Sequence, residues 1–122
     1  MKVLLSIKPE FALKIFDGSK KYEYRRAIFK RGEVTTVVVY ASDPIKKVIG
    51  EFAIGDILHD EPQMLWVKTK DHAGITEKRF LEYFRNKTKG YAINIKSTKL
   101  YNDPLPLDNL MISTPPQSFV YL

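Results

Sequence analysis

The chain has 122 residues and a mass of 14.1 kDa, enough for one domain and one core and too little for two independent ones. With 44% hydrophobic and 28% charged residues it is an ordinary globular composition, which excludes wholesale disorder and a fibrous repeat. Cysteine is absent, so a disulfide framework, a thiolate metal site and thiol nucleophile chemistry are excluded as well, while a net charge of +6 directs attention to anionic partners.

In chain order, Lys2–Ile7 reads as a first strand. Lys8, Pro9 and Glu10 interrupt its apolar run before a signal-peptide core could form, and no window reaches the apolar length of a membrane span, so the expectation is a cytoplasmic protein without a membrane partner. Pro9 suits the first turn of a helix, Phe11, Ala12, Ile15 and Phe16 recur on one helical face, and Gly18 can close the helix at positive φ; the spacing predicts a helix over Pro9–Asp17. From Tyr22 the period becomes two, with Tyr22 and Tyr24 on one face and Lys21, Glu23 and Arg25 on the other. Val34–Tyr40 is a β-branched run expected as a central strand, Ser42-Asp43-Pro44 a turn, and Ile45–Ile54 a further strand ended by Gly55-Asp56, with Gly50 at a bulge or close approach. Residues 59–75 read as a long polar loop with one apolar anchor at Met64–Val67. Thr76 can cap a helix that buries Phe80, Leu81 and Phe84 and stops at Gly90; Tyr91–Leu100 is a half-exposed strand, Pro104 and Pro106 break the chain, and Phe119–Leu122 is a short last strand.

Five or six strands with two or three flanking helices, in one domain over residues 1–122, indicate an α+β fold in which a small mixed sheet curls into a barrel. A doubly wound nucleotide fold is disfavoured by the missing parallel alternation and the missing glycine-rich phosphate loop.

The charge is unevenly placed. Residues 1–50 hold 11 Lys and Arg against 5 Asp and Glu, whereas residues 51–122 hold 9 against 9, so the whole excess lies in the first part. Its densest stretch, Gly18-Ser19-Lys20-Lys21-Tyr22-Glu23-Tyr24-Arg25-Arg26 continuing to Lys30-Arg31, has six cations and one carboxylate. Lys20 and Arg25 could hold a phosphate or a base edge, with Glu23 orienting them; equally, Glu23 and Arg25 could form a surface ion pair worth under about 1 kcal/mol.

The string Gly18-x-Lys20-x-x-Glu23-x-Arg25, after a strand and a helix, resembles the GxKxxExR signature of ASCH domains in the PUA-like superfamily, matching at all four positions. Ser6-Ile7-Lys8-Pro9, Tyr40-Ala41-Ser42 and Pro115-Pro116-Gln117-Ser118-Phe119 extend the resemblance over nearly the whole chain. It implies a small PUA-like barrel with a cleft floored by the motif's Lys, Glu and Arg, and a function in binding RNA or a modified base. Some relatives are amidohydrolases on N-acetylated cytidine and others metal-assisted ribonucleases, in which case Lys20, Glu23 and Arg25 would be the catalytic set. The amidohydrolase branch looks to carry Thr where this chain has Glu23, a departure that weakens that alternative.

Around the motif, Lys8, Lys21, Arg26, Lys30 and Arg31 are expected as phosphate contacts on the rim, Tyr40 and Trp66 as exposed rings that could stack a base, and Ser42 as a hydrogen-bonding group. His59 and His72 with Asp60, Glu61 and Asp71 match no common zinc spacing, so no metal and no other cofactor is assigned. The expected partner is RNA or another nucleic acid; residue types alone do not separate RNA from DNA, and oligomeric state has no signature in the sequence.

Overall fold

The structure, a computed structural model, describes all residues 1–122. Strand β1 (Lys2–Ile7) and helix α1 (Pro9–Asp17) form where the sequence predicts, with Pro9 in the first helical turn and Gly18 at φ 88° closing the last. Strand β2 (Tyr22–Arg25) follows, then β3 (Thr36–Ala41), whose Val37–Ala41 are all buried, as befits a strand covered on both faces. Strand β4 spans Lys47–Asp60. At Gly50 the ladder shifts register, and a Cβ there would lie 2.6 Å from both the Lys99 carbonyl oxygen and the Phe16 ring; the close approach is the reason for glycine.

Between residues 55 and 75 the structure departs from the sequence reading. Gly55-Asp56 does not end β4. The register irregularity between Ile54 and Ile57 absorbs them as a bulge, and pairing resumes to Asp60 against strand β5 (Gly90–Leu105). The expected loop is largely helix α2 (Pro62–Thr69) and a 3-10 turn at Lys70–His72. Only Leu65 and Thr69, one turn apart, are buried in α2, while Met64 and Val67 face solvent; so narrow a buried stripe leaves little periodic signal. Helix α3 (Glu77–Tyr83) is capped as expected, Thr76 Oγ1 accepting from the Arg79 N–H at 3.3 Å. It buries Phe80, and Phe84 just past its end is buried too, whereas Leu81 is exposed. Gly90 opens β5 instead of ending α3, because a Cβ at that point would collide with the Phe84 ring. β5 continues through Pro104, tolerated because beyond Asn94 it has a ladder with β4 alone. A 3-10 turn (Leu107–Leu110) and strand β6 (Phe119–Tyr121) complete the chain.

The six strands form one sheet in the order β2-β5-β4-β3-β1-β6, parallel only between β1 and β3. It is an α+β small barrel, curled but without a ladder between its two edges β2 and β6. Side chains span that seam instead. Arg25 Nη2 donates to the Ser118 carbonyl at 2.9 Å, the Tyr121 hydroxyl accepts from the Lys30 and Arg31 N–H groups at 2.9 and 3.3 Å, and Phe29 meets Phe119 edge to face. Val3, Leu5, Val37, Val39 and Phe52 form the main core with Ala12 and Ile15 of α1. A second cluster joins Tyr24 and Ala92 to Leu65 of α2 and to Phe80 and Phe84. There the Thr69 hydroxyl donates to the Leu65 carbonyl at 2.7 Å, so Tyr24 is the donor in its 2.6 Å bond to Thr69, tying α2 to β2.

Candidate nucleic-acid interface

The period-two reading of Tyr22–Arg25 places Glu23 and Arg25 on one face, and the structure puts both side chains there in contact, Arg25 Nη1 3.4 Å from Glu23 Oε2. This is no exposed surface pair. The side chains are 13% and 8% exposed, and the second Arg25 nitrogen is bonded to Ser118. Removing one member of such a buried pair leaves an uncompensated charge, a loss of about 3 to 5 kcal/mol.

Lys20 takes a different direction. Its N–H donates to the Lys14 carbonyl at 3.1 Å and that of Lys21 to the His72 carbonyl at 2.9 Å, fixing the turn after Gly18. The side chain then runs inward over Gly74, where φ is 65° and a Cβ would sit 2.6 Å from Lys20 Cβ. Its Nζ donates to the Ala73 carbonyl at 2.8 Å and lies 4.7 Å from the centre of the Tyr24 ring and 5.4 Å from that of Phe11. Only 2% of the residue is exposed. Burial lowers its pKa to about 8, the Glu23 charge opposing the shift. Of the three motif heads expected at one hollow, Glu23 and Arg25 line the cleft described below, while Lys20 lies behind its Phe11 ring and braces the Ala73–Ile75 segment that leads into α3.

That cleft, about 420 Å³, opens beside the seam. Ser6, Ile7 and Lys8 from the end of β1, Phe11 of α1, Glu23 and Arg25 of β2, and Ile75, Arg79, Glu82 and Tyr83 from the α3 side line it. Across it Arg79 pairs with Glu10 of α1 at 3.0 Å and places its guanidinium 4.8 Å from the Phe11 ring centre. That bond to Arg79 holds the Glu10 carboxyl below its ordinary value. Ser6 carries a buried Oγ with no hydrogen-bond partner in the protein. The cleft thus combines three cations, two carboxylates and two aromatic rings, a set able to hold a phosphate, accept from an amine and stack a base. The α3 residues were missed in the sequence. Arg79, Glu82 and Tyr83 recur at i, i+3 and i+4 on a helical face that flanks Phe80, so their spacing is readable, but nothing local says which surface that face meets.

Of the other residues singled out, Lys8 alone joins this cleft. Tyr40 is 4% exposed and packs with Leu4, Val48 and Leu107 on the outer sheet face, because its strand is covered on both sides. Trp66 is half-buried on α2 against Phe80, 5.0 Å between ring centres, and so is not a free ring on a loop. Ser42 is half-buried in its turn, where its carbonyl accepts from the Ile45 and Lys46 N–H groups. Lys21 is exposed outside the cleft lining, and Arg31 pairs with Glu33 at 2.9 Å beside Tyr121. Arg26 and Lys30 line a separate hollow. No three His, Asp or Glu side chains come together as a metal site would require, and His59 is stacked on Tyr91 at 4.2 Å. No helix is long and apolar enough to cross a membrane.

Comparison with known proteins agrees with this architecture. The crystal structure of the ASCH protein from Zymomonas mobilis superposes with a TM-score of 0.91 at 30% identity, covering 99% of this chain and 87% of that one. A Zymomonas mobilis protein named an ASCH domain-containing ribonuclease is 30% identical over 125 residues, 99% of this chain and 84% of that protein. The N-terminal domain of Staphylothermus marinus McrB, at 14% identity and a TM-score of 0.51, shares the fold alone. Large ribosomal subunit protein uL22 of Ureaplasma parvum is 28% identical over 120 residues, and the chain spans 39% of its length. The ASCH domain family matches residues 5–99, so this chain belongs to the ASCH domain family.

Proposed function

We propose that the cleft beside the barrel seam binds single-stranded RNA or a modified base. The observation that carries this reading is the cleft itself: about 420 Å³, within the size range of small-ligand sites, with Arg25, Arg79 and Lys8 set among the rings of Phe11 and Tyr83. Cations fix phosphates, the rings offer stacking worth about 1 to 3 kcal/mol per base, and Glu23 and Glu82 can accept from exocyclic amines. The family membership and the ribonuclease name of the Zymomonas relative support an RNA partner.

The test is anisotropy of a labelled RNA oligonucleotide with the protein across a salt series. Binding should weaken with a slope of about −0.7 per phosphate contacted, and Arg79→Ala, on the half-exposed wall, should weaken it roughly tenfold while leaving the far-ultraviolet circular dichroism unchanged. Salt-independent binding, or an unaffected Arg79→Ala protein, would overturn the reading.

A second reading, ribonuclease activity, has the name of the Zymomonas relative in its favour. Incubating labelled RNA with the protein, with and without divalent metal, separates the two, since absence of product under both conditions leaves binding alone. Hydrolysis of an acylated nucleoside through Lys20 has less support: its amine is bonded to the Ala73 carbonyl and lies outside the cleft lining.

A further inference from the structure

Behind the Arg25–Arg26 step lies a second hollow of about 450 Å³, lined on its charged side by Arg26, Lys30, Lys87 and Lys89 and on its flat side by His59 and Tyr91. We propose that it is a landing site for the phosphodiester backbone of the same RNA strand whose end enters the cleft, a proposal that rests on the RNA reading of that cleft.

Its lining contains no carboxylate, and none of the four cations is in an ion pair. Arg26 is held in place by neutral acceptors, Nη1 donating to the Tyr83 and Arg85 carbonyls at 2.7 and 3.0 Å, so its position is fixed and its charge left uncompensated. Four like charges around one concavity repel one another, and a chain of phosphates relieves that repulsion while the cations release the counterions condensed on that chain. His59, exposed and stacked on the Tyr91 ring at 4.2 Å, leaves only its outer face for a base beside the cations, a pairing of stacking surface and charge that suits a single strand better than an isolated anion.

The two concavities are neighbours. Arg25 lines one and Arg26 the other, as successive side chains leaving a strand point to opposite sides. Tyr83 lines the cleft while its carbonyl holds Arg26, so one ridge separates the sites.

The experiment compares a dinucleotide with a ten-residue oligonucleotide of RNA, by calorimetry and anisotropy, on the wild-type protein, Lys87→Ala/Lys89→Ala and His59→Ala. The wild type should bind the longer RNA more tightly. The double variant should lose on the order of tenfold for the longer RNA, with its salt slope shallower by about 1.4, and nothing for the dinucleotide. His59→Ala should lose a few-fold for the longer RNA only. Equal wild-type affinity for both lengths, an unaffected double variant, or equal losses for both lengths would overturn this proposal while leaving the cleft reading intact. Failure of the wild type to bind either RNA would overturn the cleft reading and this one with it.

Discussion

The cleft and the hollow lie on opposite sides of a single step along the backbone, Arg25 to Arg26, yet they hold their charge in opposite ways. In the cleft, Arg25 is bound to Glu23 and Ser118, and Arg79 to Glu10. In the hollow, Arg26, Lys30, Lys87 and Lys89 are in no ion pair, and no carboxylate is among the lining residues. Arg25, paired and buried, determines geometry, because its attraction is already satisfied and its loss disrupts the fold; Arg79, half-exposed, is held by its ion pair at little structural cost, and the exposed cations of the hollow contribute attraction and steering. The difference separates what positions a ligand from what draws it in.

The largest expected effect breaks that contrast directly. Arg25→Ala leaves Glu23 buried without its partner and opens the seam at Ser118, and it should destabilise the protein by about 3 kcal/mol in urea unfolding. Lys87→Ala, at an exposed and unpaired position, should stay within about 0.5 kcal/mol of wild type. Equal stabilities for the two variants would mean that the cleft's ion pair is no more structural than the charges of the hollow.

Lys20 extends the same pattern below the cleft, and pH reads it. Its pKa falls from 10.5 in the unfolded chain to about 8 in the fold, through burial. Between those values the unfolded chain carries a proton that the folded chain has released, so the wild type gains stability as pH rises through the window. Below about 8 both states hold the proton and the gain is absent. Taken as a difference from Lys20→Met, which cancels the other titrating groups, the gain should approach about 2 to 3 kcal/mol by pH 10.5. A flat difference across the window would place the ammonium in open solvent, like those of the hollow.

How much of this the residues announce depends on whether the information is local. The helix over Pro9–Asp17, the strand of Glu23 and Arg25, and the Thr76 cap were readable because period and capping chemistry are properties of a few adjacent residues. Lys20 sits in a turn, where no period fixes direction, and only the Gly74 backbone it packs against decides that it runs inward. Helix α2 was hidden because it buries only Leu65 and Thr69. The hollow was the least legible of all. Dividing the chain into a basic part and a neutral part separated Arg26 and Lys30 from Lys87 and Lys89, which the antiparallel pairing of β2 with β5 brings to one place. Linear charge counts miss patches assembled across a sheet.

The smallest effect sharpens the comparison from the other direction, by making the cleft more like the hollow. Glu82 is exposed on α3 and is one of two carboxylates among the cleft's lining residues. Glu82→Gln keeps the shape and the hydrogen-bonding length while removing one negative charge that a phosphate would meet on entry. RNA affinity should rise by about two- to fivefold at low salt, through a faster association rate, and the gain should disappear near 1 M salt, where the screening length falls to about 3 Å. Stopped-flow association at the two salt concentrations measures both parts. A gain that persisted at high salt would assign Glu82 a direct contact instead of a field effect, and a loss of affinity would mean that this carboxylate accepts a hydrogen bond from the bound base.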